Sequence, residues 1–330
     1  MISNKQEKHY PLALIVPTHY TKPLNYASIC QSLHVAQVYP EQIQLVISDN
    51  SQDQEKFDFL KKISSGMNNV KLIHGPLEKN HLCALNAANC DYVLFAPDDD
   101  IVIHPALGDI IDLLLAHPQS IGFAGSYARQ TSNGCELNFF PGLDSPAVNN
   151  RIDALLSSFP KGNPIFHTIL KKKTVLDGMD FMFNCPNLQF WHDQILSLFF
   201  VLAGPFVNIE KNYFIYNFTH WEGVAKRIDR EIFGLEYYQL PISLVLIQRL
   251  MLALEGYHLI LNSTGSKESA MKWFDKWYTS WKFHLPAYFN NEKIESCSFY
   301  LDVKDIVEFF NQHQAPDISR LFEKICFLYE

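Results

Sequence analysis

The sequence predicts an α/β protein in which a mostly parallel, Rossmann-like sheet is covered by helices and followed by a C-terminal helical extension. Three observations carry this prediction. Apolar runs too short for helices recur along the N-terminal part of the chain, segments with helical apolar spacing separate them, and from about Lys226 onward only helical patterning remains. Strands alternating with helices in this way specify parallel pairing with right-handed crossovers. The chain accordingly divides into a sheet-bearing region, residues 1–225, and a helical region, residues 226–330.

Residues 12–16 form a continuous apolar run stopped by Pro17, which reads as a strand buried on both faces. Pro23 starts a helix whose apolar residues Tyr26, Ile29, Cys30, Leu33 and Val38 keep helical spacing until Tyr39-Pro40. Residues 44–48 are the second strand and run into the polar turn Asp49-Asn50-Ser51. Gln54–Ile63 is helical, Val70–His74 is the third strand, residues 80–90 are a further helix, and residues 92–97 are a fourth, buried strand. Residues 105–116 then form a helix with Leu107, Ile110, Ile111, Leu114 and Leu115 as its apolar residues. Residues 121–127 read as a strand, and residues 130–150, rich in Gly, Asn, Pro and Ser, as a variable loop or a plain surface connection. Residues 195–202 and 240–254 are apolar helices, and residues 270–283 carry Trp273, Trp277 and Trp281 at four-residue intervals on one face. Such a stripe suits a core seam or a subunit contact, so a homo-oligomer stays open. Residues 303–328 read as two short helices around Pro316.

Of 330 residues, 48% are hydrophobic and 19% charged, which excludes a disordered chain. The balance of 27 basic against 35 acidic residues, a formal charge of −8, argues against nucleic acid as a partner. Seven cysteines, odd in number and without a C-x-x-C pair, point to free thiols in a reducing compartment instead of disulfides or a zinc site. The polar start, residues 1–8, lacks a signal-peptide core. No transmembrane segment is expected, because residues 195–206 are too short and residues 241–261 contain Gln248, Arg249 and Glu255. A cytoplasmic location follows as the expectation.

The most informative residues are Asp98, Asp99 and Asp100, three consecutive carboxylates at the end of the fourth strand. Buried together they repel, and at least one is pushed toward its protonated form unless a counter-charge is present. A hard divalent cation, Mn²⁺ or Mg²⁺, takes oxygen ligands and relieves that repulsion. The alternative is a set of surface acids, one of them capping the helix begun by His104-Pro105. Parallel sheets bind ligands beyond the carboxyl ends of their strands, so Pro17-Thr18, Asp49 and the three aspartates fall along one edge. Neither G-x-G-x-x-G nor G-x-x-x-x-G-K-[ST] is present. Phosphates at that edge therefore need something other than a glycine-rich backbone, and a metal held by the aspartates would serve.

In this order the residues resemble the nucleotide-diphospho-sugar transferases of GT-A fold, specifically glycosyltransferase family 2-like enzymes. Leu14-Ile15-Val16-Pro17-Thr18 is similar to the opening strand and Val46-Ile47-Ser48-Asp49 to the second strand with its acidic turn. Asn86 stands where the family often has an arginine-asparagine pair, and Asp98-Asp99-Asp100 resembles the D-x-D segment. The likeness spans roughly the first 125 residues. It implies a metal-dependent, inverting glycosyltransferase that moves a sugar from a nucleotide-diphosphate donor to an acceptor hydroxyl on a glycan, a lipid-linked molecule or a small molecule. It further implies that Asp49 contacts the nucleobase, that Pro17 and Thr18 line the same pocket, and that Asn86 belongs to the donor site. Asp98 would lie near the ribose or the metal's water shell and Asp100 would ligate the cation, with Asp99 a supporting acid or a direct ligand. Two positions depart from the family: Asn50-Ser51 replaces an acid and a glycine, and Leu85 replaces a basic residue. His81 or Lys79 would then supply the missing positive charge, unless His81 is a helix-surface residue; Asp49 equally suits an Asx-turn.

Inverting enzymes of this family commonly take their base from an acid pair at the start of a helix, and His192-Asp193 resembles that pair. Asp193 is then the base that deprotonates the acceptor, or an acid that complements a helix dipole. By the same resemblance His220 completes the metal's coordination or holds the diphosphate, or else it is a packed loop histidine. Trp221 offers a flat face to a sugar ring or is buried. Two further functions stay open. One is a sugar-nucleotide pyrophosphorylase, whose glycine-rich first loop is absent here. The other is a catalytically degenerate relative that binds a sugar nucleotide or a protein partner without turnover.

Overall fold

Alternation within the first strand explains why its sequence is apolar throughout. In a computed structural model that describes residues 8–19, 22–76, 80–138, 142–159, 168–183, 192–219, 222–237 and 245–289, strand β1 (Tyr10–Thr18) sends Leu12, Leu14 and Val16 into one core cluster and Ala13 and Ile15 into another. A strand with helices on both faces needs apolar residues at odd and even positions alike. β2 (Ile43–Asp49) and β4 (Cys90–Phe95) pair with it in parallel and β3 (Val70–His74) pairs in parallel with β2, giving the order β3-β2-β1-β4. The connections are helices α1 (Pro23–Val38), α2 (Gln54–Ile63) and α3 (Asn80–Ala87). Pro23 opens α1, and the Asp53 side chain caps α2 by accepting the Lys56 amide. α3 stops short of the expected Cys90, which instead opens β4.

After the aspartates come β5 (Ile101–Val102), α4 (His104–Ala116), β6 (Gly122–Thr131), β7 (Gly134–Asn138), α5 (Val148–Ser158), β8 (Ile169–Lys171) and α6 (Lys172–Phe183). They are followed by α7 (His192–Ala203), β9 (Val207–Asn217), α8 (Gly223–Tyr237), α9 (Val245–Thr264) and α10 (Lys267–Phe289). The sheet continues from β4 as β8-β6-β9-β5, with β7 paired to β6. β8 is antiparallel to both neighbours, β6 and β9 run parallel, and β5 is antiparallel to β9. The sheet thus has a parallel half and a mixed half.

Residues 130–150, expected to be a loop, are structured over much of their length. β6 extends to Thr131, the chain turns through Ser132-Asn133 and returns from Gly134 as β7, and α5 begins at Val148. Gly134 takes a φ of 125°, which glycine alone adopts without strain. Asn-Gly between two extended runs is a hairpin signal that the polar composition of the segment concealed.

α9 and α10 pack as a helical hairpin with the tryptophan stripe on the inside: Trp273, Trp277 and Trp281 are 0%, 5% and 4% exposed. Trp273 donates its indole N–H to the Leu252 carbonyl at 3.0 Å and lies so close to Gly256 that a methyl group there would overlap it. The stripe joins α5, α7 and the sheet residues Ile15 and Phe95 in one hydrophobic cluster. No helix among the described residues is long and apolar enough to cross a membrane. Cys30, Cys83, Cys90 and Cys135 are free thiols. The helices expected at residues 303–328 lie outside the described residues.

Candidate active site

Strand register brings the first set of site residues together. Thr18 pairs with Asp49 across β1 and β2, and Ile15 pairs with Phe95 across β1 and β4, so Asp98 comes level with Thr18 just beyond the strands. The Thr18 hydroxyl donates to an Asp98 carboxylate oxygen, and Asn25 Nδ2 donates to the Asp98 carbonyl at 3.2 Å. Lys56 completes the group from α2. Its ammonium lies 3.0 Å from Asp49 Oδ1 and 2.8 Å from Thr18 Oγ1, and the Lys56 and Asp49 side chains are 0% and 1% exposed. Asp49 Oδ1 also accepts the Ser51 N–H at 3.1 Å, which forms an Asx-turn. Pro17 is half-buried at the same strand end. The sequence does hold a signal for Lys56: it precedes Leu60 by one helical turn, on the inward face of α2, where both are buried.

A second set gathers where β9 ends. β5 pairs with β9 through Ile101 and Ile215, and the Asn217 N–H donates to Asp100 Oδ1 at 2.8 Å. Burial pushes the Asp98 carboxyl up to about 6, the Thr18 hydrogen bond and Lys56 opposing and Asp99 adding to the rise. Burial likewise holds Asp99 above the usual carboxylate range, with Arg230 pulling it back. Asp100 is held well above that range, first by burial and then by repulsion from Asp99, while the Asn217 amide opposes. The Tyr216 phenol is raised by burial and then by the charges of Asp100, Asp193 and Asp99. Asp193 stands in the first turn of α7, where the resemblance placed it, and Gln194 Nε2 donates to its Oδ2 at 3.0 Å. Tyr216 is therefore a buried phenol that feels the charges of Asp193 and of the strand-end aspartates Asp99 and Asp100.

Positive charge comes from β6 and α8. Arg129 pairs with Tyr216 across β6 and β9, and its guanidinium lies 4.7 Å from the centre of the Phe218 ring. Arg227 of α8 lies 6.0 Å from the same ring, and Arg230, one turn on, acts on Asp99. The sequence pointed instead to His81 or Lys79 for this charge. His81 is on α3 with its ring 5.6 Å from that of Phe95; Lys79, His220, Trp221 and the His192 side chain lie outside the described residues.

No protein-family model matches this chain, and no curated protein matches its sequence. Solved structures match in fold. S. aureus TarS 1-349 superposes with a TM-score of 0.52 at 15% identity, over 91% of this chain and 78% of that one. The same protein in complex with UDP gives 0.52 at 14% identity with 91% and 78% covered, and S. aureus TarS gives 0.54 at 14% identity over 91% of this chain and 47% of that one. This is the GT-A fold.

One residue expected at a GT-A donor site, Asn86, stands apart from the others. α3 runs back from the carboxyl edge of the sheet, so only its first turn reaches the site. Asn80 makes that contact, donating from Nδ2 to the Ser48 carbonyl at 3.1 Å. Asn86, six residues further along and so about 9 Å away along the helix, has an exposed side chain and is not gathered with the others. No group of three or more His, Cys, Asp or Glu side chains among the described residues is placed together to hold a metal, and His220, expected in that set, lies outside them. Asp98, expected as a metal ligand, is turned to the Thr18 hydroxyl that register sets beside it. Asp99 and Asp100 remain as the carboxylates whose repulsion a cation would relieve.

Proposed function

We propose that the protein is an inverting glycosyltransferase that takes a nucleotide-diphospho-sugar donor and passes the sugar to an acceptor hydroxyl. The observation that supports it best is the strand register that sets Thr18, Asp49 and Asp98 at the carboxyl edge of a GT-A sheet, with the desolvated Asp99 and Asp100 next to them. The complex of TarS with UDP makes a UDP-sugar the first donor to test.

In this reading Pro17, Thr18 and Asp49 receive the nucleoside end of the donor. Arg129, Arg227 and Arg230 offset the charge that develops on the diphosphate. Asp193 takes the proton from the acceptor hydroxyl, whose oxygen forms a bond to the anomeric carbon. The bond from that carbon to the diphosphate oxygen breaks, and its electron pair leaves with the nucleotide. Attack from the side opposite the leaving group inverts the anomeric centre.

A divalent cation, Mn²⁺ or Mg²⁺, would fit beside Asp99 and Asp100, two desolvated carboxylates of which Asp99 raises the proton affinity of Asp100. Two protein carboxylates are what a Mg²⁺ site offers when phosphates and water complete it. When bound, such an ion adds positive charge at the departing diphosphate.

The test is incubation with UDP-, GDP- and CDP-sugars and Mn²⁺ while released nucleotide is followed. UDP release that EDTA suppresses and that Asp100→Ala abolishes is the expected result. A protein that binds UDP yet releases none from any donor and acceptor mixture is instead the non-catalytic binder.

A further inference from the structure

The reaction just described makes no use of Lys56, although this residue is buried as completely as the apolar core, at 1% exposure. An ammonium is withdrawn from water only where partners compensate it. Lys56 has two, on two different strands: Asp49 Oδ1 at 3.0 Å and Thr18 Oγ1 at 2.8 Å. An ammonium can only donate, so Thr18 accepts from Lys56 and turns its own proton to Asp98, as the Thr18 to Asp98 bond shows. Among the described residues both contacts to Asp49, from Lys56 and from the Ser51 N–H, go to Oδ1. Oδ2 carries neither of these contacts, and in the donor reading it is the atom left to meet the base.

We propose that Lys56 is a positioning residue that fixes the choice of nucleobase. Paired with this ammonium, Asp49 is a constant hydrogen-bond acceptor. The site then takes a base that presents a ring N–H, uracil or guanine, and rejects cytosine and adenine, whose corresponding ring nitrogen carries no proton. A buried carboxyl deprived of its counter-charge holds a proton more readily, and it then donates as well as accepts. The inference rests on the donor reading above.

Calorimetric titration of the full chain with UDP and CDP tests it. Wild type is expected to favour UDP by about a hundredfold or more, since a buried acceptor left facing another acceptor is strongly penalised. Lys56→Met is expected to cut that preference by about tenfold or more, while its affinity for inorganic pyrophosphate stays at the wild-type level. Lys56→Arg, which keeps the charge, retains the preference for UDP. Lys56→Gln keeps hydrogen-bonding capacity without charge and replaces the methionine variant if that one does not fold. A lysine with a purely structural role would change stability and leave the ratio of UDP to CDP affinity alone, so an unchanged ratio in the neutral variants overturns the proposal. Wild type that binds UDP and CDP equally overturns this proposal and spares the donor reading; wild type that binds neither overturns both.

Discussion

The two halves of the sheet treat buried charge in opposite ways. In the parallel half, Asp49 is met by Lys56 and Asp98 by Thr18, so the acids at these strand ends come with partners built into β1 and α2. In the mixed half, Asp99 and Asp100 are dominated by desolvation and mutual repulsion, and Asp193 adds its charge around the same tyrosine. A compensated group is suited to recognising a ligand of fixed shape. A cluster left electrostatically tense is suited to a reaction in which charge moves, because a substrate or a proton relieves it. Under the proposed function the difference matches donor recognition to the first half and bond-making to the second, and each prediction below is a way to break that division.

The largest effect is expected at Asp193. Asp193→Asn keeps the shape and the Gln194 neighbour but removes the proton acceptor, so kcat for transfer falls by about 10²- to 10⁴-fold. UDP affinity stays unchanged, because the nucleoside end belongs to the other half. Steady-state transfer assays beside UDP titrations measure both quantities. Transfer that survives the substitution shows that Asp193 answers only to the dipole of α7.

Next comes Lys56, read this time as stability. Removing one partner of a buried ion pair leaves an uncompensated charge and costs about 3–5 kcal/mol, whereas removing both is often neutral. Lys56→Met should therefore lower the urea-derived stability by about that amount, and Asp49→Asn/Lys56→Met should recover most of it. If the double variant is as unstable as the single, the lysine stem contributes by packing and the parallel half is not organised by its charge.

How far each half is legible in the sequence follows from the same contrast. Burial on both faces makes β1, β2 and β4 near-continuous apolar runs, and polar residues follow each at the carboxyl edge, so Thr18, Asp49 and the aspartates can be placed from residue order alone. β8, of 3 residues, and β5, of 2, are too short to carry a period, and β9 is only partly buried, so the mixed half leaves a weak pattern. The place of Asp193 in the first turn of α7 can be read from residue order alone. The places of Arg129, Arg227 and Arg230 cannot, because they meet Asp99 and Tyr216 only through β6 pairing with β9 and the placement of α8 beyond it. Lys56 escapes notice because a lysine on an amphipathic helix ordinarily faces water.

Asp98 touches both halves and is expected to show a smaller, pH-dependent effect. Its carboxyl stands at about 6 in the fold against an ordinary value of 3.8. The folded protein holds this proton more tightly than the unfolded chain, so stability falls as pH rises between those two values and the loss is complete above the upper one. The full loss is of the order of 3 kcal/mol. Urea midpoints measured across this window should fall less steeply with rising pH in Asp98→Asn than in wild type. Equal slopes would mean that Thr18 and Lys56 fully compensate Asp98, which would place it entirely with the parallel half.

The smallest effect is expected at the hairpin that extends the mixed half. Gly134 has a φ of 125°, and nothing lies within 4 Å of where a Cβ would stand, so Gly134→Ala meets backbone strain without a clash. About 1 kcal/mol of destabilisation is expected, read as a modest drop in the thermal midpoint. The consequence for function separates two roles for the strand that follows. Glu136 of β7 forms an ion pair with Arg129, the arginine that lies over Phe218. If β7 serves to aim that guanidinium at the diphosphate, loosening the turn raises the donor KM and leaves kcat alone. If β7 only covers the edge of β6, the thermal midpoint moves and both kinetic constants stay where they were.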